Sequence, residues 1–209
     1  MVWVTSDLHL GHAPKMDGRG GIIQHANRPF KTIEEHDEYL IRRWNETVSK
    51  GDTTYVLGDM CWKNHSHYIQ ALNGKIVLIT GSHDKMSQLS AKDLTDIHIG
   101  MHCCMIEKQY FVMTHCAMLV WERSHYGSIN LHGHSHGRLK EMDDIRRMDV
   151  GVDVSDDYAP FSLDFILYKM SLKKQREYNN NHDPNENVKT NKESNIELMK
   201  KMKESNGGN

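Results

Sequence analysis

The sequence predicts an α/β fold with its functional groups gathered at one end of the strands. Three observations predict it. Six short apolar runs recur along the chain, and their continuous apolar character marks strands buried on both faces. An amphipathic helix with a clear start signal stands between the first two runs. Five runs lead into Asp or His at their C-terminal ends, where open α/β sheets bind ligands.

Val2 to Thr5 is the first run, and it stops at Ser6-Asp7. Residues 13–29, rich in Gly, Lys, Arg and Asn, read as a long loop. In KTIEEHDEYLIRRWNETV, Thr32 and Glu35 form a capping box. Ile33, Leu40, Ile41, Trp44 and Val48 then share one helical face. TYVLGD (54–59) is the second run and stops at Asp59. KIVLIT (75–80) stops at Gly81, and YFVMTH (110–115) at His115. SINLHGHSHG (128–137) ends in a His cluster, and MDVGVDV (148–154) is the sixth run.

From about residue 171 the chain turns polar and Asn-rich, too poor in apolar residues to build a core. The expected division is one domain over 1–170 and a tail over 171–209, disordered or holding a short helix at IELMKKM.

A chain of 209 residues is long enough for one domain with a real core. A net charge of -2 disfavours a globally basic nucleic-acid binder. Cys61, Cys103, Cys104 and Cys116 show no CxxC spacing, which points to a reducing, cytoplasmic setting rather than a disulfide framework. The N-terminal MVWVTSDLHL has no basic segment and no long apolar stretch, so no signal peptide is expected. No segment approaches the roughly 18–20 apolar residues of a membrane span, so no membrane partner is expected. Histidine is the outlier, with 15 copies.

The candidate chemistry lies in Asp7-Leu8-His9, Gly58-Asp59, Gly81-Ser82-His83-Asp84, Thr114-His115 and Gly133-His134-Ser135-His136. Asp and His together suit divalent ions such as Mn²⁺, Fe²⁺ or Zn²⁺. A carboxylate can bridge two ions about 3.5–4 Å apart and so clamp both oxygens of a phosphoryl displacement. Strand alternation would aim Asp7 and His9 the same way, and likewise His134 and His136, so that each pair grips one site. A lone D-x-H or Gly-Asp is an ordinary structural feature. All five motifs in this order, each after a strand-like run, are not.

That order, DxH, GD, GxHD, H, GHxH, resembles the calcineurin-like metallophosphoesterases from Val2 to about Ile166. NRPF (27–30), HCAMLVWERSHYGSINLHGHSHG (115–137) and VGVDVSDDYAPFSLD (150–164) resemble the small bacterial and phage members. The resemblance implies a four-layer α/β/β/α sandwich with a dinuclear metal site. It implies that Asp7, His9 and His136 hold one ion, that Asp59 bridges, and that His115, His134 and position 82 hold the other. Mn²⁺ is the expected ion, with Fe²⁺, Zn²⁺, Ni²⁺ and Mg²⁺ as alternatives. It further implies a bridging hydroxide attacking phosphorus while His83 assists the leaving alcohol, with Asp84 supporting His83.

Position 82 departs from the family, which has Asn where this chain has Ser82. A hydroxyl is a poorer ligand than an amide carbonyl and sits closer to the backbone. Three readings stay open: a weakened second ion, a tolerated natural choice, and an introduced substitution.

Arg28, within NRPF, and His12, just after DLHLG, are the expected substrate contacts, with Lys15 and Arg19 on the same loop. The expected activity is phosphodiester hydrolysis on a small nucleotide-like substrate, without long nucleic acid. Monoesterase and nuclease activities are the nearby alternatives. The rival from another class is a catalytically attenuated scaffold on the same fold, which would bind one ion tightly and turn nothing over. Simple metal sequestration would not need its ligands at five strand ends.

Overall fold

The computed structural model describes residues 1–16, 20–85, 87, 89 and 93–173. The elements run β1 (Val2–Thr5), α1 (Ile22–His25), α2 (Ile33–Thr47), β2 (Thr53–Val56), α3 (His65–Ala71), β3 (Lys75–Ile79), β4 (Asp96–His98), β5 (Met101–Ile106), β6 (Gln109–Thr114), β7 (Ile129–His132), β8 (Arg147–Asp149), β9 (Phe161–Ser162) and α4 (Leu163–Ser171). They form two sheets, β4-β3-β2-β1-β9 and β5-β6-β7-β8. Neighbours from β1 to β4 are parallel, as are β6, β7 and β8. The five motif-bearing strands are therefore shared between two sheets.

The apolar runs are continuous because both faces of the first sheet are covered. Ile76 and Leu78 of β3 join Val56 in packing against Leu40 and Trp44 of α2 and Ile69 of α3. Their neighbours Val77 and Ile79 turn the other way, onto Phe111, Met113, Ile129 and Leu131 of the second sheet. α4 adds Leu163, Ile166 and Met170 to that middle layer. The outside of the second sheet carries a thinner cover, where Val112 packs under Trp121 and Ile145. The result is a mixed α/β sandwich of two sheets with helices, as the resemblance implied.

Half of the expected capping box at α2 forms: the Glu35 N–H donates to Thr32 Oγ1 at 3.2 Å, but the Glu35 carboxylate accepts from the Lys31 N–H at 2.9 Å, one residue before the cap. The sixth run is shorter as a strand than the sequence implied. After Asp149 the chain leaves β8, and Gly151 bridges to Ser6 beside the first sheet before a 3₁₀ turn at Val152–Val154. β4, β5 and β9 are strands that the apolar pattern did not mark. Most of the expected tail, 174–209, lies outside the described residues. Among the described residues no helix is long and apolar enough to cross a membrane.

Candidate metal centre

Every motif sits just beyond the end of its strand rather than on it. β1 stops at Thr5 and β7 at His132. Asp7, His9, Asp59, His134 and His136 all adopt left-handed backbone, with φ of 60°, 53°, 53°, 66° and 47°. Strand alternation therefore does not aim these side chains. In particular His134 and His136 do not grip one site together: His134 Nδ1 lies 3.2 Å from His115 Nε2, while His136 stands with Asp7 and His9. Left-handed conformation is uncommon for residues with a side chain, and its clustering here marks a functional centre.

Ladder-like bonds hold the loops side by side. The N–H groups of Asp7 and His9 donate to the carbonyls of Gly58 and Asp59 at 3.0 and 2.9 Å. Gly133 allows the second sheet to close in. A Cβ there would stand 2.1 Å from Ser6 Oγ and 2.2 Å from Asp7 Oδ2.

Two groups emerge whose ligand atoms converge: Asp7, His9 and His136, and Asp7, Asp59 and His115. Asp59 Oδ2 reaches toward both, 3.6 Å from His9 Nε2 and 3.4 Å from His115 Nε2. Asp7 Oδ1 and His9 Nε2 are buried with no hydrogen-bond partner. Burying such atoms without a partner is costly, and a divalent cation between them removes that cost. Burial pushes the Asp7 carboxyl up and the His9 imidazole down to about 2. Burial opposes ionisation of Asp59 as well, but the hydrogen bond and charge of His115 outweigh it and hold Asp59 below its usual range. Burial likewise opposes charging of His115, yet the Asp59 bond and charge raise it to about 9. Oxygen and imidazole donors, two of them unpartnered, fit hard-to-borderline divalent ions.

A supporting layer holds these donors. His115 Nδ1 is 2.8 Å from the Leu57 carbonyl, and His136 Nδ1 is 2.7 Å from Asp153 Oδ2. Donation through Nδ1 leaves each Nε2 lone pair for a metal. Arg28, expected at the substrate, lies beneath the centre, its side chain wholly buried. Its Nε and Nη2 donate to Asp153 at 2.8 and 2.7 Å. Its remaining N–H groups reach the Asp7 carbonyl at 2.6 Å, the Leu8 carbonyl at 3.0 Å and His36 Nε2 at 2.7 Å. All five guanidinium donors are thus committed, and none is left for phosphate. His36 passes the link to Asp37 at 2.7 Å, and Asp37 accepts from the Gly11 N–H at 2.9 Å. Asp153, His36 and Asp37 were not singled out from sequence. The signal for the latter two was present, since the spacing from Ile33 to Leu40 puts them on the apolar stripe of α2.

Asp84 also differs from its expected task. Its carboxylate accepts from the N–H groups of Asp59, Gly81 and Met60 at 2.7, 2.8 and 3.1 Å, and so pins the two loops rather than the His83 ring. The His83 N–H donates to Asp59 Oδ1 at 2.8 Å, and its ring Nε2 is 3.9 Å from Asp59 Oδ2. Ser82 is exposed between Gly81 and His83, whose N–H groups are both anchored in this way. An open cleft of about 270 Å³ lies over the centre, lined by His9, His12, Asp59, His83, His134 and His136 among others. His12 lines this cleft. Lys15 is exposed, and Arg19 lies outside the described residues.

Comparison with known proteins agrees with this geometry. The calcineurin-like phosphoesterase family model matches residues 1–203. An uncharacterized protein of Methanocaldococcus jannaschii is 31% identical over 176 residues, covering 79% of this chain and 89% of that protein. The gene 66 protein of Mycobacterium phage D29 is 28% identical over 191 residues, covering 76% of this chain and 91% of that one. A solved structure of a protein of unknown function from Aquifex aeolicus shares the fold, with a TM-score of 0.61 and 19% identity, covering 81% of this chain and 98% of that one. With its motifs converging on a buried Asp/His centre between two sheets, this chain belongs to the calcineurin-like phosphoesterase family and is a metal-dependent phosphoric ester hydrolase.

Proposed function

We propose that the protein is a phosphodiesterase acting on a small, nucleotide-like substrate with two Mn²⁺ ions. The observation that carries this reading is the pair of donor groups that Asp59 Oδ2 approaches from between, at 3.6 and 3.4 Å. Asp7, His9 and His136 are assigned to one ion, His115, His134 and position 82 to the other, and Asp59 to both. When bound, such a pair supplies Lewis acidity to the phosphoryl oxygens and lowers the pKa of an attacking water. The chain supplies the rest. Arg28 and Asp153 fix the His136 ring, and Asp59 fixes the loop carrying His83. The His83 ring, 44% exposed, is free to give a proton to the leaving oxygen. A cleft of about 270 Å³ favours a small ester over a long polymer.

The test is hydrolysis of bis-p-nitrophenyl phosphate with Mn²⁺, after EDTA treatment and after Mn²⁺ is restored. Activity should vanish and return. No turnover under any metal condition overturns the reading and favours a scaffold. Ser82→Asn should tighten the weaker Mn²⁺ site on the order of tenfold and raise turnover at limiting metal. Equal titration curves for the two proteins would mean that the serine, or a water beside it, already does the ligand's work.

Metal affinity should depend on pH with a definite sign. His115 must lose its proton to ligate, and its pKa in the metal-free fold is about 9. Affinity for the ion that His115 would hold should therefore rise about tenfold per unit from pH 7 to about 8 and flatten toward 9, with roughly one proton released by that ion at pH 7. Calorimetry in buffers of different ionisation enthalpy reads that proton. The same raised pKa makes His115 stabilise the metal-free fold fully below pH 6.5, and that contribution fades as pH climbs through about 9.

A further inference from the structure

Beside the metal donors stands an aromatic surface that the proposed chemistry does not use. Trp62 is 41% exposed although it is the largest kind of side chain. It is not loose. Its backbone N–H donates to the Leu10 carbonyl at 2.8 Å, next to the bridge joining Leu10 and Cys61, which fixes the main chain from which the side chain projects. Its indole stacks on the His12 ring, with centroids 3.8 Å apart and planes within 2°. The His83 ring lies 4.8 Å from it on a tilt. His12 and His83 both line the cleft, and Trp62 stands against both of them.

We propose that Trp62 is a stacking subsite for a planar aromatic group on the substrate, a nucleobase carried near the scissile ester. This rests on the nucleotide-like reading above and sharpens it. An indole held flat by one neighbour offers its remaining exposed surface already oriented, so little side-chain freedom is lost on binding. Stacking on an aromatic ring tolerates any base, because every base has a π-face. The position also fits the chemistry. His83 is the candidate proton donor to the departing oxygen, and the next ring outward from His83 is Trp62. The subsite therefore belongs to the nucleoside on the leaving side of the diester.

The experiment measures equilibrium affinity of the Mn²⁺-loaded protein for thymidine 5′-monophosphate and for 2-deoxyribose 5-phosphate. The two probes share phosphate and sugar and differ by the base. The nucleotide should bind about tenfold tighter or more. In Trp62→Ala that preference should fall to near one while affinity for the sugar phosphate stays unchanged. Trp62→Phe should keep part of the preference, which guards against misfolding of the alanine variant. Equal affinities in the unmodified protein overturn the proposal, and so does a preference that survives in Trp62→Ala. Hydrolysis of bis-p-nitrophenyl phosphate, followed in parallel, separates the failures. Turnover without base preference sinks only the subsite, whereas absent turnover sinks the phosphodiesterase reading whatever the base preference.

Discussion

Asp59→Asn is expected to lower kcat/KM on bis-p-nitrophenyl phosphate about a thousandfold, or about 4 kcal/mol of transition-state stabilisation. The substitution is nearly isosteric. The amide oxygen can still accept from the His83 N–H, which Asp59 Oδ1 now does at 2.8 Å. What disappears is the charge on the side facing His9 and His115, 3.6 and 3.4 Å away. Without it a second ion would lose the carboxylate that it is proposed to share. His115 also loses the partner that raises its pKa, so metal binding should release less proton than in the unmodified protein. Calorimetric titration with Mn²⁺ checks this directly. A loss of less than tenfold in kcat/KM, with two ions still bound, would remove Asp59 from the bridging role.

Arg28→Ala should act on stability first. It strips two charged bonds from Asp153, whose side chain is only 7% exposed, and leaves the carbonyls of Asp7 and Leu8 without their donor. Breaking a buried ion pair from one side costs about 3–5 kcal/mol, which for a domain of this size lowers Tm by about 10 °C. The His136 ring loses its fixed partner as well, so Mn²⁺ should bind about 10–100-fold more weakly. Arg28→Lys should recover little, because one ammonium cannot make the five-donor fork. Thermal unfolding with and without Mn²⁺ reads both effects. An Arg28→Ala protein of unchanged Tm that lost only substrate affinity would restore Arg28 to the cleft.

The difference between what was legible and what was not follows from the kind of rule each needed. The residues proposed as donors could be picked out because their types are chemically narrow and each follows a strand. The geometry of Asp7, His9, His134 and His136 could not, because alternation applies only within a strand and these residues lie past its end. Arg28 was misplaced for a related reason. An Arg in a polar loop looks solvated, and only the fold brings Asp153, distant in sequence, against it. His36 and Asp37 were readable on the buried stripe of α2, but a hydrophobic pattern passes over polar residues. β5, with Met101 and Met105 exposed, shows no clean apolar run, and β9 is two residues long.

The left-handed backbone at Asp7, His9, Asp59, His134 and His136 has a consequence for anyone redesigning this protein. Each such residue costs about 1 kcal/mol or more relative to an unstrained one, and a whole domain is stable by only about 5–15 kcal/mol. Glycine would relieve every one of these positions. A procedure that ranks sequences by folding stability alone would therefore choose glycine at the donors themselves. Wherever that relief exceeded the bonds lost with the side chain, it would trade a donor for a little stability, and the chemistry would go with it.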